Sequence, residues 1–374
     1  MAPKKATKKD SAEARRTGLG RDFRQGTCPV NERLDNIQVL RAFAAISVVV
    51  AHTGYTLGNW HAFGTFGVDI FFVISGFIMA LICTNRPDNF IVKRLIRIVP
   101  LYWTMTLASF AVLATHSNLD ISIHRGPIQL LKSLFFVPYA ENDGTIAPIL
   151  GVGWTLNYEM CFYLILACAI LIWKSRRDLA AVCLLLAIMV IAEALPRTAI
   201  SSFYGRPIML EFVAGVAVFH IYRAVQVKRA VRLRPVLYGT ILVSTGFLMW
   251  YEGTQFNQPS GTRLGFGIPA VLLALSVVLL SKSGVSVPCK LPVLVGDASY
   301  ALYLIHVFVV SAFKHVVDRY APSMNASGLL GAASVVMISC VLAIGVHLFL
   351  DRPMQSFLYR LFILKKRGTA AAAV

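Results

Sequence analysis

Charged residues are scarce in this 374-residue chain. Only 14% of its residues are Asp, Glu, Lys or Arg, whereas 57% are hydrophobic. A soluble domain carries about 25% charged and about 45–50% apolar residues, so this composition excludes a large soluble domain. Apolar runs of about 20 residues, the length that spans a bilayer as a helix, recur along the chain. We therefore predict an all-α, polytopic membrane helix bundle.

Acidic residues are rarer than basic ones. The chain has 18 Asp and Glu against 36 Lys and Arg, a formal net charge of +18. In a soluble protein such an excess would favour binding to nucleic acid. In a membrane protein, Lys and Arg gather in the cytoplasmic loops. We therefore predict a lipid bilayer and no nucleic acid as the surroundings of this chain.

The seven cysteines lack the spacing of a zinc site or of a disulfide framework. Most of them stand inside apolar runs, where we expect small core residues. The chain also lacks a Gly-x-Ser-x-Gly elbow and a His-Glu-x-x-His motif. These absences argue against a serine-hydrolase elbow and a zincin site, and we predict that no metal is bound.

Ten apolar runs are predicted to span the membrane, and the loops between them alternate in charge. One set of loops carries nineteen Lys and Arg and the other carries seven, so the positive-inside rule places both termini in the cytoplasm. We predict a basic disordered cytoplasmic tail over 1–36, a transmembrane domain over 37–350 and a cytoplasmic tail over 351–374. The predicted spans are Ile37–Leu57, Phe63–Cys83, Ile98–Thr115, Trp154–Trp173, Leu179–Leu195, Pro207–Val225, Val236–Tyr251, Leu264–Leu280, Ala298–His315 and Leu329–Leu350.

Two polar residues stand out inside the first apolar run. Arg41 and His52 are eleven residues apart. On a helix this is roughly three turns, so both side chains lie on one face, about 16 Å apart along the axis. A charged side chain at the centre of a membrane helix costs about 2.5–3.5 kcal/mol. The spacing therefore predicts that this face lines a polar cavity, the usual setting of a functional site.

The predicted topology assigns a depth to the other ionisable residues. The first span leaves the cytoplasm, so His52 lies near the outer surface. The second and fourth spans enter from outside, which puts Asp69 and Glu159 at a similar depth. We therefore predict one layer of acid and base groups in the outer half of the bundle, with His306 of the ninth span nearer the middle.

A second cluster is predicted on the inner side. Arg94 and Arg97 stand on the short basic loop before the third span and are followed by Tyr102 and Trp103. Together with Arg41 they would form a cationic mouth. Arginine pairs suit phosphate because their planar forks bind it through two hydrogen bonds.

The two predicted clusters suit a donor with an anionic head and a long thin arm. Acyl-coenzyme A is such a molecule, with its phosphates at the arginine mouth and its thioester near His52. An acceptor hydroxyl would then enter from outside. The competing prediction is a proton-coupled exporter of a glycan or lipid-linked sugar, because a transporter also places titratable groups in the membrane.

Between the third and fourth predicted spans lies the longest loop. Its apolar stretch Ile128–Tyr139 is too short to span a bilayer, so we expect it to be either interfacial or re-entrant.

Five motifs in order make the chain resemble the acyltransferase 3 family, the integral-membrane O-acyltransferases. The residues of these motifs are most similar to those of the exopolysaccharide-production acetyltransferases. The resemblance covers most of the chain, and five weak motifs in the family's order are together specific. The motifs are Arg41–His52, Gly67–Phe77, Arg94–Trp103, Trp154–Glu159 and Ser299–His306.

The resemblance implies an O-acyltransferase domain over 37–350. It would move an acyl group, expected to be acetyl, from acetyl-CoA to a hydroxyl of a surface or exopolysaccharide carbohydrate. The acceptor would be lipid-linked or polymeric, the protein would lie in the cytoplasmic membrane, and polysaccharide-synthesis enzymes would be its partners. No metal is implied.

Roles for individual residues follow from the resemblance and from their predicted depth. His52 is expected to act as general base, Glu159 to orient His52 or bind substrate, and Asp69 to join this catalytic set. Each has a plain structural alternative: a buried bonded histidine, a carboxylate at a helix start and a partner of a buried polar group. The expected donor-binding residues are Arg41, Arg94, Arg97, Tyr102 and Trp103, and the expected substrate-binding residues are Trp154, Tyr303 and His306.

Other polar residues are expected to be structural. His220 and His347 are lone histidines on apolar helices, which we predict to be satisfied in the core. Glu193 is expected to pair with a nearby arginine or water. Ser75 precedes a glycine, which indicates close helix packing and not a nucleophile.

Overall fold

The computed structural model describes residues 34–54, 56–57, 60–61, 63–85, 87–115, 126–173, 175–255, 264–321 and 328–364. Almost all of the predicted basic tail over 1–36 and the last ten residues of the predicted tail over 351–374 lie outside the described residues. Within them the chain is built of helices, which confirms the all-α prediction. The exception is a short antiparallel hairpin, β1 (Thr56–Leu57) and β2 (Trp60–His61).

The helices follow one another with short connections. Short 3₁₀ turns precede two of the helices, at Gly151–Gly153 and Pro207–Met209, and π-helical turns His347–Asp351 and Arg360–Leu364 flank the last one. The helices are α1 (Asp35–Thr53), α2 (Gly67–Asn85), α3 (Phe90–Thr115), α4 (Pro127–Leu134), α5 (Trp154–Ile172), α6 (Arg177–Ala194), α7 (Ala199–Tyr204), α8 (Leu210–Ala224), α9 (Val227–Arg232), α10 (Arg234–Gln255), α11 (Leu264–Lys282), α12 (Lys290–Asp297), α13 (Ser299–Tyr320), α14 (Leu329–Val346) and α15 (Arg352–Tyr359).

Each of the ten predicted spans coincides with a long helix. Among the described residues, eight helices are long and apolar enough to cross a membrane, which confirms a polytopic helical membrane protein. The other two predicted spans correspond to α6 and α10. Both are helical but fall outside that set of eight, so the number ten remains a prediction.

Two predicted boundaries differ from the structure. Helix α3 begins at Phe90, so Arg94 and Arg97 lie in its first turns and not on a loop as predicted. Arginine is a good helix former, and the apolar side chain of Ile96 between them is buried, so the helix starts before the apolar run does. At the other end, α14 continues through its π-helical turn into α15 and to Leu364, beyond the predicted limit of the last span at Leu350.

Helices α2 and α8 approach very closely. A Cβ atom added to Gly76 would lie 2.2 Å from the backbone oxygen of Phe212 on α8. One added to Gly215 of α8 would lie 2.2 Å from the backbone oxygen of Val73 on α2. No side chain fits between the two backbones at this point. This confirms the close packing expected beside Ser75.

Residues 126–153, which precede α5, return along α3 as far as Tyr102. Tyr102 donates a hydrogen bond of 3.0 Å to the Ser133 carbonyl, and Trp103 Nε1 donates one of 2.8 Å to the Leu134 carbonyl. Gly153, at the start of α5, lies against the Tyr102 ring. Tyr102 is twelve residues into α3, about 18 Å along that helix. The contacts therefore favour the re-entrant alternative for 128–139, and α5 begins about halfway along α3.

Candidate functional site

An open cavity, about 770 Å³ with the solvent space at its mouth included, lies between α1, α2, α3, α5 and α13. Arg41, Arg94 and Arg97 line one part of it, and Thr155 and Tyr303 line another. The predicted face of α1 therefore does line a cavity at Arg41.

The arginine cluster, Arg41, Arg94 and Arg97, gathers positive charge in a buried place. Arg41 is 8% exposed and donates a hydrogen bond of 3.3 Å to the Gln38 side chain. It lies close enough to Arg97 for the two positive charges to repel. Like charges held together in a low-dielectric site favour the binding of an anion. The cluster thus has the properties of a phosphate site.

Glu159 joins the arginine cluster and not His52. Its Oε1 accepts hydrogen bonds from the Tyr163 hydroxyl and, at 3.3 Å, from the Ser75 hydroxyl. Its negative charge interacts with Arg41 and Arg94. The predicted layer of His52, Asp69 and Glu159 is therefore wrong for Glu159.

The re-entrant loop explains this error. The prediction placed the start of the fourth span at the membrane surface. In the structure α5 starts beside Tyr102, about halfway along α3. Six residues further along, about 9 Å, Glu159 reaches the level of the arginines at the beginning of α3.

His52 lies in the last turn of α1, which ends where Gly54 adopts a left-handed conformation with φ 70°. Its Nδ1 is 2.9 Å from the carbonyl oxygen of Val48. Because a carbonyl only accepts hydrogen bonds, Nδ1 carries the proton of the neutral ring and Nε2 keeps a lone pair. This is the form that a general base needs.

His306 lies beside His52. The two ring centroids are 4.8 Å apart and the rings meet edge to face at 72°. His306 is fully buried, and its Nδ1 lies 3.2 Å from the carbonyl oxygen of Leu302. By the same reasoning its Nε2 also keeps a lone pair. The structure therefore brings together two of the predicted site residues from distant parts of the chain.

Tyr303 connects the cavity to this histidine pair. It lines the cavity, and its ring centroid is 6.0 Å from that of His306. Its hydroxyl donates a hydrogen bond of 2.9 Å to the Val152 carbonyl and accepts one of 2.9 Å from Thr155. The cavity that the arginines line thus extends to Tyr303, and ring contacts lead from Tyr303 to His306 and on to His52.

The remaining predicted residues have other surroundings. Asp69 is fully buried in the first turn of α2. Trp154 is half-buried and meets the Tyr158 ring edge to face at 5.9 Å. Tyr102 and Trp103 hold the re-entrant loop through its carbonyls, so they are set apart from the arginine-lined cavity.

Sequence reasoning missed two groups that shape the cavity. Tyr163 was not singled out, although it stands four residues after Glu159 and so on the same helix face. That spacing was the available signal. Ser75 was explained by packing alone, yet its hydroxyl also reaches Glu159.

Glu252 was also missed, and no local pattern could have found it. Its carboxylate accepts hydrogen bonds from the Gly64 and Thr65 amides at 2.5 and 2.8 Å and from the Thr65 hydroxyl at 2.6 Å. These donors lie just before α2, where the helix dipole also favours a negative charge. Glu252 thereby fastens the turn that follows His52 to the end of α10.

Polar residues expected to be structural have partners. His220 lies 2.7 Å from Asp178, and Glu193 pairs with Arg197 at 2.5 Å. His347 lies 3.1 Å from the carboxylate of Asp351. Within the ranges given above, the structure holds no group of three or more His, Cys, Asp or Glu that could bind a metal ion.

The fold and the cavity define a multi-pass helical membrane protein with a buried, arginine-lined site. Residues 34–347 match the family described as an acyltransferase domain. The chain belongs to this family, acyltransferase 3, and it is an O-acyltransferase. No solved structure matches it.

Several relatives cover most of the chain. It is 34% identical over 314 residues to the exopolysaccharide production protein ExoZ of Rhizobium meliloti, which is 81% of this chain and 93% of that protein. It is 27% identical to nodulation protein 10 of Rhizobium leguminosarum bv. viciae, over 74% of this chain and 83% of that one. It is 24% identical to the peptidoglycan O-acetyltransferase OatA of Listeria monocytogenes, over 81% of this chain but 53% of that protein.

Proposed function

We propose that this enzyme transfers an acetyl group from acetyl-CoA to a hydroxyl of a surface or exopolysaccharide carbohydrate. Acetyl-CoA would enter at the arginine end from the cytoplasm, and the acceptor would approach His52 from the other side of the cytoplasmic membrane. The observation that carries the proposal is the arrangement of the cavity. It is lined by three arginines at one part and adjoins, through Tyr303, the histidine pair at another.

The arginine cluster would hold the phosphates of the donor. Arg41, Arg94 and Arg97 come from α1 and α3, two helices that are fixed in the bundle. A guanidinium group offers two parallel N–H donors to a phosphate, and such charge-assisted bonds are stronger than neutral ones. The long uncharged arm of the donor would then extend along the apolar walls of the cavity.

His52 would act as the general base. Its Nε2 would remove the proton of the acceptor hydroxyl while the oxygen attacks the carbonyl carbon of the thioester. The carbon–sulfur bond then breaks, and the coenzyme sulfur leaves with the proton from the imidazolium. The bond from Nδ1 to Val48 supports this role because it presents Nε2 unprotonated.

A carbohydrate acceptor is supported by the relatives. Their names concern exopolysaccharide production and peptidoglycan O-acetylation. The acceptor of this chain would be lipid-linked or polymeric, and enzymes of polysaccharide synthesis would deliver it.

A thiol-release assay tests the proposal. The purified full chain in detergent is mixed with acetyl-CoA, and free thiol is measured before and after adding polysaccharide acceptor. We expect acceptor-dependent thiol release that His52→Ala lowers by about 10²–10⁴-fold. His315→Ala is the matched control, because His315 is exposed on α13. Absence of acceptor-dependent release in the wild type would contradict acetyl-CoA as the donor.

A further inference from the structure

Glu159 is a carboxylate that lines the same cavity as three arginines. It is nevertheless held by hydroxyl groups. Tyr163 and Ser75 both donate to its Oε1. Among the described residues, the side-chain ion pairs do not include one between Glu159 and an arginine.

Tyr163 lies beside Glu159 and close to the arginines. The Tyr163 hydroxyl donates to Glu159 and lies near enough to Arg94 to interact with its charge. The carboxylate is thus near enough to Arg41 and Arg94 to interact with their charges, but it does not occupy their hydrogen-bonding forks. The guanidinium groups stay available for an anion from outside.

The charges that line the cavity do not cancel. Three arginines face one carboxylate, so two positive charges remain to be balanced. A ligand with at least two negative charges fits this excess. The carboxylate repels the same ligand, because the interaction of charges in a buried site is only weakly screened.

We propose that Glu159 sets the affinity of the donor site by opposing the bound polyanion, so that the spent coenzyme leaves the arginine cluster. This rests on the proposed function and adds a role for a residue that the sequence assigned to catalysis at His52. Glu159 is an affinity-setting residue of the donor site. Tyr163 and Ser75 hold its charge off the guanidinium groups.

Removal of the negative charge should strengthen donor binding. Glu159→Gln keeps the size and an oxygen acceptor, and we expect the Kd for coenzyme A to fall about tenfold or more, as a unit charge a few ångströms from an anion requires. Glu159→Asp keeps the charge and should bind coenzyme A with near wild-type affinity. Because product release slows, kcat and KM for acetyl-CoA should fall together in Glu159→Gln.

A second variant has the opposite expected effect. Tyr163→Phe removes the hydroxyl that holds Oε1 of Glu159, so the carboxylate can turn toward Arg94 and pair with it. We expect the Kd for coenzyme A to rise. Both variants are checked by size-exclusion chromatography, so Tyr163→Phe still provides a test if Glu159→Gln does not fold.

The experiment is a calorimetric titration of the full chain in detergent with coenzyme A and with inorganic pyrophosphate. Equal or weaker binding of both by Glu159→Gln, or equal or tighter binding by Tyr163→Phe, would overturn the inference. Failure of the proposed function looks different. In that case the wild type binds neither anion, or the pair Arg94→Ala and Arg97→Ala leaves coenzyme A binding unchanged.

Discussion

The imidazole rings of His52 and His306 lie edge to face with their centroids 4.8 Å apart. Each ring is fixed through Nδ1 to the carbonyl four residues before it on its own helix, α1 or α13. The pair therefore joins the first and ninth predicted spans. It also fixes the orientation of His52 at the place where the proposed chemistry occurs.

His306 should act as a positioning residue for His52. His306→Ala removes the ring that packs against His52, and we expect kcat to fall about tenfold to 100-fold with little change in KM for acetyl-CoA, because misplacement of a reacting group by about 1 Å costs as much. His306→Phe keeps the ring contact and should retain more activity. An equal loss in His306→Phe and His306→Ala would show that the ring nitrogen, and not the packing, is needed.

Arg94 and Arg97 should determine the affinity for the donor. With both changed to Ala, we expect KM for acetyl-CoA to rise at least about tenfold, since hydrogen bonds to charged groups contribute about 1.5–3 kcal/mol each. The matched control is Arg229→Ala with Arg232→Ala, a pair with the same spacing that is exposed on α9. Equal KM values in the two double variants would show that Arg94 and Arg97 do not bind the donor and are only positive charges at a helix start.

Gly76 should tolerate no side chain. In Gly76→Ala the new Cβ would lie 2.2 Å from the Phe212 carbonyl oxygen, so we expect a loss of about 1–3 kcal/mol in the free energy of unfolding. Gly246→Ala is the control, because nothing lies within 4 Å of its added Cβ. It should be neutral or slightly stabilising, since Ala favours a helix over Gly. Thermal unfolding in detergent measures both, and a Gly76→Ala midpoint at or above that of Gly246→Ala would refute the close packing.

Glu252 should stabilise the turn between α1 and α2. Glu252→Gln weakens the hydrogen bonds to Gly64 and Thr65 and removes a charge from a helix start. We therefore expect the free energy of unfolding to fall by about 1–2 kcal/mol. Glu193→Gln is the control, because this carboxylate is 58% exposed in its pair with Arg197 and such pairs contribute little. Equal stability of the two variants in chemical denaturation would show that the hydrogen bonds of Glu252 to Gly64 and Thr65 do not stabilise the fold.

The helices of this fold could be predicted from sequence because each apolar run of about 20 residues has one stable solution in lipid. The common helix face of Arg41 and His52 could also be predicted, because it depends only on their eleven-residue spacing. The contact of His52 with His306 was not predicted as such. It depends on which helices pack together.

The depth of Glu159 could not be predicted from its distance to the start of an apolar run. That estimate requires each span to begin at the surface, and the re-entrant loop that Tyr102 and Trp103 hold moves the start of α5 inward. The hydrogen bonds of Glu252 could not be predicted for a related reason. Its donors lie 187 and 188 residues away in sequence, where no periodic pattern connects them.

The central claim is that the acetyl group crosses the bundle from the arginine end to His52. Sealed inside-out membrane vesicles test it most directly: labelled acetyl-CoA is added outside, and polysaccharide acceptor is enclosed in the lumen. We predict that the wild type labels the enclosed carbohydrate and that His52→Ala lowers this labelling by at least about 100-fold. Labelling that is equal in His52→Ala, or that occurs only on carbohydrate supplied on the same side as the donor, would contradict the account.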